Sequence, residues 1–178
     1  LDALGKPVMA DHLDVKENPH VPGGMGSSPF DDEGVRTTAR DVVTGGVLNG
    51  YFLSTYTARK LGMETTGNAG GSHNLVLSSR LTDPNDDFRA MLRKLGTGLL
   101  VTELIGQGVN YVTGDYSRAV ARYWVENGEI SHAVQEFTIA GNLADMLRQI
   151  AAVGADTITR GSKTTGSILI ERMSVAGQ

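Results

Sequence analysis

The densest group of side chains that could do chemistry lies in "TELIGQGVNYVTGDYSR", where Glu103, Gln107, Asn110, Asp115, Tyr116, Ser117 and Arg118 stand in or beside apolar strands. Polar groups so placed need a partner or a ligand. The segment is therefore a candidate cleft, with a self-satisfied internal network as the plainer alternative. A second candidate is His73, which stands behind three glycines in "TTGNAGGSHN". Ser72 and His73 could meet a carboxylate in a hydrolytic triad only through tertiary contacts, and the strand-turn-helix setting of a serine nucleophile is missing. "GNAGG" also lacks the Lys-Ser/Thr ending of a phosphate-binding loop, and its spacing does not fit a dinucleotide fingerprint.

Metal chemistry has little to draw on locally. The four histidines, His12, His20, His73 and His132, include no pair three or four residues apart, so no helix offers two imidazoles to one ion. The absence of cysteine excludes sulfur-ligated zinc, a thiol nucleophile and a disulfide framework. His12 with Asp11 and Asp14 reads as a polar edge. "FDDEGV", Phe30 to Val35, sets three carboxylates before a glycine without the alternating ligands of a calcium loop, and reads as a turn whose carboxylates accept from backbone amides.

The elements that must position these residues follow from pattern. A short strand is expected over His12 to Glu17, then an irregular Pro/Gly/Ser-rich loop to Gly34. Val35 to Val43 and Val47 to Ser54 read as strands joined by a "TGG" hairpin. "TYTARKLG" is a short helix stopped by Gly62, and "HNLVLSS" is a strand. Phe88, Met91, Leu92 and Leu95 fall at helical spacing, which predicts a helix from Pro84 to Leu95 with Asp83 as its N-cap. "GLLVTELIG" is a nearly unbroken apolar run and predicts a strand buried on both faces. Tyr116 to Val125 and Ile130 to Ile139 pair through the Asn-Gly of "ENGE". A helix over Leu143 to Val153 buries Leu143, Met146, Leu147 and Ile150. The last strand is "SILIERMSVAG". The order predicts a single α+β domain built on predominantly antiparallel sheet with a few dispersed helices.

Within this frame, Tyr116, Arg118, Val120, Arg122 and Trp124 alternate onto one face of their strand. A row with Tyr, two Arg and Trp suits an extended peptide or a partner surface.

Composition narrows the classes. With 178 residues and 40% hydrophobic content, the chain can fill a core without staples. The formal charge of −4, with no basic run, disfavours direct nucleic-acid binding. No apolar run approaches the roughly 20 residues of a membrane span, so no membrane partner is expected and a cytoplasmic location is. The opening "LDALGKPVMA" lacks Met and reads like the last turn of a helix closed by Gly5, which suggests a piece of a longer protein.

Several stretches together carry a resemblance: "FDDEGVRT", "GYFLSTYTARKLGMETTGNAGGSHN", "GLLVTELIGQGVNYVTGDYS", "YWVENGEI", "TIAGNLADMLRQI" and the terminal "VAGQ". In order and over nearly the whole chain, they resemble the C-terminal domain of the TldD/PmbA metalloprotease family, on its PmbA-type (TldE) branch. The resemblance implies one of two related subunits of a cytoplasmic zinc protease, each with an additional N-terminal α/β domain. The TldD-type subunit carries a His-Glu-x-x-x-His helix and a later Cys; the PmbA-type subunit lacks them. In this chain Arg160 or a neighbour, in "DTITRGSKTTGS", stands where that Cys would fall. One departure is that Val120 and Arg122 replace residues usually small in the family. The implied chain binds no cofactor of its own, zinc residing in a TldD-type paralogous partner. Its implied substrates are unfolded peptides, including a peptide antibiotic to be matured and an antitoxin to be degraded. The candidate substrate- or partner-binding residues are then Glu103, Asp115, Tyr116, Ser117, Arg118 and His73, with no catalytic or metal-ligating residue. The glycines around His73 are expected to let the short helix pack against the next strand. The alternatives are an independent hydrolase using Glu103, Asp115 and His73, and a protein-binding modulator of DNA gyrase.

Overall fold

A computed structural model describes residues 2–176, and the side chains of all of these except residues 135 and 136. Gly177 and Gln178, which close the terminal "VAGQ" and the predicted last strand, lie outside the described residues, as does Leu1. The described residues gather into two compact units, one formed by Leu1–Arg80 with Thr157–Gly166, the other by Leu81–Asp156 with Ser167–Gln178. Antiparallel pairing dominates both, so the α+β class expected from the sequence is the one observed.

The first unit is built on β1 (Leu13–Asn18), β2 (Arg40–Thr44), β3 (Val47–Leu48), α1 (Thr55–Leu61) and β4 (Asn74–Ser79). The chain then makes α2 (Phe88–Leu95), β5 (Gly98–Ile105), β6 (Asp115–Glu126), β7 (Glu129–Asn142), α3 (Leu143–Arg148) and β8 (Ile150–Val153) of the second unit. It returns to the first unit for β9 (Ile158–Arg160) and β10 (Lys163–Thr165), and ends with β11 (Ile168–Ile170) and β12 (Ser174–Ala176) in the second.

In the first unit one six-stranded sheet runs β3-β2-β1-β4-β10-β9. Its single parallel pair is β4 with β10, Lys163 opposite Leu75. The β2–β3 hairpin turns at Gly45 and Gly46, both at positive φ, as the "TGG" pattern requires. Ser54 and Thr57 form a reciprocal capping box on α1, and Gly62 ends it in the left-handed region at φ 64°. The start of the chain is a turn, Lys6 N–H donating to the Ala3 carbonyl at 3.0 Å, with Gly5 at positive φ.

In the second unit a four-stranded sheet runs β12-β7-β6-β5 and a two-stranded one pairs β11 with β8. The β6–β7 hairpin turns at Asn127 and Gly128, with φ of 53° and 79°, the conformation the Asn-Gly pair favours.

Four expectations are corrected. Helix α2 begins at Phe88, capped by the Asp87 carboxylate, which accepts from Ala90 N–H at 2.7 Å. Asp83 and Pro84 instead belong to a preceding turn in which Asp83 and Asp86 accept from each other's amides. Strand β5 is not buried on both faces: it is the outer strand of its sheet, and Leu104 and Ile105 are exposed. The helix read over Leu143 to Val153 stops at Arg148, because Ile150–Val153 pairs with Ile168–Ile170; β-branched residues favour that pleated setting. The predicted last strand is divided into β11 and β12, and the "DTITRGSKTTGS" segment before it forms the β9–β10 hairpin, turning at Gly161.

Two glycines at similar φ separate space from backbone preference. A Cβ at Gly46 (φ 74°) would stand 2.5 Å from the Met9 carbonyl oxygen, whereas one at Gly62 (φ 64°) would meet nothing within 4 Å. Gly62→Ala is expected to cost about 1 kcal/mol, the left-handed penalty alone. Gly46→Ala should cost about 3 kcal/mol because the β2–β3 turn must also move away. Urea unfolding of the two variants measures the difference.

Candidate functional site

In the first unit the sequence buries a carboxylate. Leu13, Val15 and Glu17 alternate onto one side of β1, and Glu17, at its end, is only 2% exposed. A buried charge persists only if paired and hydrogen-bonded. Glu17 Oε2 accepts from Arg40 Nε at 2.7 Å, and Oε1 accepts from the His73 backbone N–H and from Asn68 Nδ2, each at 2.8 Å. His73 Nδ1 lies 3.1 Å from the same Oε1, so a proton on Nδ1 is donated to the carboxylate. Each nitrogen of Arg40 has a partner: beyond Nε, Nη1 donates to the Tyr51 carbonyl at 2.8 Å, Nη2 donates to Asn68 Oδ1 at 3.1 Å, and the guanidinium lies 4.9 Å from the Phe52 ring centre. Burial pushes the Glu17 carboxyl up, but the His73 amide, Arg40 and Asn68 outweigh it and hold it below its ordinary value.

The acidic turn and the glycine turn meet beside this network. Asp31 Oδ1 accepts from the amides of Glu33 and Val35, both at 2.9 Å, and Oδ2 accepts from Ala69 N–H at 3.0 Å. Burial raises the Asp31 carboxyl and these three amides, with the nearby His73, bring it below its usual range. Glu33 Oε2 accepts from Thr55 N–H at the start of α1, 2.7 Å away. The carboxylates of "FDDEG" therefore tie backbone together. The glycines of "TTGNAGG" do the same: a Cβ at Gly67 would stand 2.9 Å from the Arg36 carbonyl oxygen, and one at Gly70 would collide with the Asp32 carboxylate. Their close neighbour is this acidic loop, which corrects the expectation of helix-against-strand packing.

The β9–β10 hairpin reaches the same segment. Lys163 Nζ donates to Ser72 Oγ at 2.9 Å and to the His73 carbonyl at 3.1 Å. Arg160, opposite Lys163 across the hairpin, is exposed. Ser72 Oγ thus accepts from an ammonium.

The other five candidates belong to the second unit. Glu103 is exposed on β5. Asp115 caps the β5–β6 loop, Oδ2 accepting from Thr113 Oγ1 at 2.7 Å. Asn110 Oδ1 accepts from the Val112 and Thr113 amides at 2.9 and 3.3 Å, and Ser117 N–H donates to the Gly108 carbonyl at 2.7 Å. Burial pushes the Tyr116 phenol up, against the pull of Arg118. The row Tyr116, Arg118, Val120, Arg122, Trp124 is the inward face of β6, with Val120 and Arg122 buried; Ser117, Ala119 and Tyr123 are the exposed ones. The reading of that row as an open gripping face is corrected. Register shifts after Val120 and Trp124 also break the simple alternation and bury Val125 completely.

The remaining histidines face hydroxyls: His12 Nδ1 lies 2.8 Å from Ser79 Oγ, His20 Nε2 3.2 Å from Thr37 Oγ1, and His132 Nδ1 3.1 Å from Ser131 Oγ. Among the described residues no three His, Asp or Glu side chains converge as a metal site would require. The donor set described here does not fit a zinc ion.

What sequence reading passed over is Glu17 with Arg40 and Asn68. The alternation that puts Glu17 on the face of Leu13 was visible; its counter-charge, 23 residues away, was not. Removing the carboxylate should be costly: Glu17→Ala leaves the half-buried Arg40 without its partner and is expected to lose about 3 kcal/mol in urea unfolding. Glu17→Gln tests the charge itself. Because the folded-state value lies below the ordinary 4.5, ionised Glu17 stabilises the fold above that pH and ceases to as acid protonates it. The wild type should therefore lose stability below pH 4.5 more steeply than the Gln variant, as acid titrations followed by circular dichroism would record.

Comparison with known proteins places this geometry. The PmbA/TldA metallopeptidase C-terminal domain matches residues 1–177. Metalloprotease PmbA of Escherichia coli O157:H7 is 52% identical over all of this chain, and the PmbA homolog of Haemophilus influenzae is 50% identical over 99% of it. The chain spans 39% of the length of each. A crystal structure of a proposed modulator of DNA gyrase from Thermotoga maritima superposes with a TM-score of 0.87 at 39% identity, over 98% of this chain and 41% of that one. TldE from Thermococcus kodakarensis, 24% identical, shares the fold with a TM-score of 0.82 over 99% of this chain and 42% of its own. The chain belongs to the PmbA/TldD metallopeptidase family, as a C-terminal domain of the PmbA type.

Proposed function

We propose that this chain is the C-terminal part of the non-catalytic subunit of a metalloprotease assembly, in which a TldD-type paralogue supplies the zinc. The observation that carries the reading is the use to which the candidate ligands are put. Each of the four histidines faces a hydroxyl or the Glu17 carboxylate, and the buried acids hold backbone amides. A catalytic zinc needs three protein ligands and an open fourth position, and the described residues assemble no such set. Unfolded peptides are the proposed substrates, with peptide-antibiotic maturation and antitoxin degradation as instances. Among the described residues no helix is long and apolar enough to cross a membrane, and the cytoplasm is the proposed location.

A second reading has one observation behind it. The Thermotoga maritima relative is described as a proposed modulator of DNA gyrase, and the formal charge of −4 suits a protein partner better than DNA. The hydrolase reading draws His73 from one unit and Glu103 and Asp115 from the other. His73 is engaged by Glu17, which leaves that reading without an observation in its favour.

The full-length protein purified alone is expected to hold substoichiometric zinc by elemental analysis and to leave an unfolded peptide intact. Added TldD-type paralogue should bring chelator-sensitive cleavage and a faster-sedimenting species. Stoichiometric zinc, or cleavage by this protein alone, would reverse the assignment.

A further inference from the structure

The chain holds two Asn-Gly pairs, Asn49–Gly50 and Asn127–Gly128, and the fold treats them differently. An Asn followed by glycine can be attacked at its Cγ by the next backbone nitrogen, because the glycine has no Cβ to obstruct the approach. Asn49 and Asn127 are both exposed, so water reaches either side chain. What separates them is the nitrogen that would attack. Gly128 is buried in the β6–β7 turn, where its N–H donates to the Gly96 carbonyl at 2.7 Å. A Cβ there would stand 2.9 Å from Arg93 Cα, so the peptide is hemmed in as well as bonded. Its nitrogen cannot advance without breaking that bond.

Gly50 is placed otherwise. Asn49 N–H donates to the Val42 carbonyl at 2.9 Å, which continues the β2–β3 pairing one residue past Leu48. From Gly50 to Leu53 the chain follows no helix or strand, and the Gly50 N–H has no hydrogen-bond partner among the described residues. The Arg40 guanidinium lies beside this peptide: a Cβ at Gly50 would stand 3.0 Å from Nη1. A neighbouring cation favours the deprotonated, nucleophilic form of an amide nitrogen. The Asn49 side chain donates through Nδ2 to Thr44 Oγ1 at 2.8 Å and to the Asp41 carbonyl at 3.2 Å. The Thr44 hydroxyl therefore touches the nitrogen that must leave, and can give it a proton.

We propose that Asn49–Gly50 is a site of spontaneous deamidation, the one of the two Asn-Gly pairs that the folded chain leaves reactive. Water is the only co-reactant. The Gly50 nitrogen gives up its proton to water and bonds to Asn49 Cγ, the Cγ–Nδ2 bond breaks, and ammonia leaves. The resulting succinimide takes up one water. Opening at Cγ yields aspartate, and opening at the main-chain carbonyl yields isoaspartate, which routes the backbone through an extra methylene. Either product adds one negative charge at the foot of the segment whose Tyr51 carbonyl holds Arg40.

The test ages the full-length protein in mildly alkaline buffer, once folded and once in guanidinium chloride. Peptide mapping by mass spectrometry counts aspartate plus isoaspartate at positions 49 and 127 over time. In the unfolded chain both glycine nitrogens are free, and the two sites should convert at similar rates. In the folded protein position 49 should convert about fivefold or more faster than position 127, the rate equivalent of one net backbone hydrogen bond. Equal conversion at the two positions in the folded protein, or faster conversion at position 127, overturns the proposal.

Discussion

A carboxylate taken out of water must be repaid in hydrogen bonds and charge, and Glu17 imposes that requirement on the whole first unit. The groups that answer it come from three places: Arg40 on β2, Asn68 and His73 in the glycine turn, and, through Arg40, the Tyr51 carbonyl before α1. None of these can shift far without leaving a charge or an amide unpaired. The network thus does for irregular backbone what ladder hydrogen bonds do for strands. It explains how a unit with long loops between β1 and β4 keeps them ordered with a limited apolar core.

The second unit solves a different problem. Its β5–β6 loop is fastened by Asn110, Thr113 and Asp115, yet it holds Tyr111 90% exposed. Its main sheet buries Val120, Val125 and Ile139 together with Arg122. One unit buries a carboxylate; the other buries a guanidinium and holds an ordered apolar tip.

Legibility in the sequence followed the range of the interactions. The "TGG" and "ENGE" hairpins and the Gly62 stop of α1 were readable because each depends on a few adjacent residues with specific backbone needs. The β9–β10 hairpin was not, since "TITRGSKTT" becomes strand only by lying against β4, some ninety residues earlier. Ile150 fits both the helical spacing of Leu143, Met146 and Leu147 and a buried strand; its pairing with Ile170 decided between them. The unbroken apolar run of β5 pointed to two-sided burial, but its place at the sheet edge was a property of topology that local pattern does not encode. Tyr116 and Arg118 share one face of β6 and Ser117 the other, as the alternation predicts; which of the two faces turns inward is not encoded in the alternation itself.

The parallel pairing of β10 with β4 also sets an order of events. The first unit's sheet is interrupted in sequence by the whole stretch from Leu81 to Asp156. As the chain leaves the ribosome, β1 to β4 can associate early, but one edge of β4 stays bare until β10 has been made. A nascent chain therefore carries an open strand edge for the time needed to synthesise most of the second unit, and such edges invite mispairing. The discontinuous sheet makes the first unit a late-closing structure, finished by residues translated after nearly all of the rest.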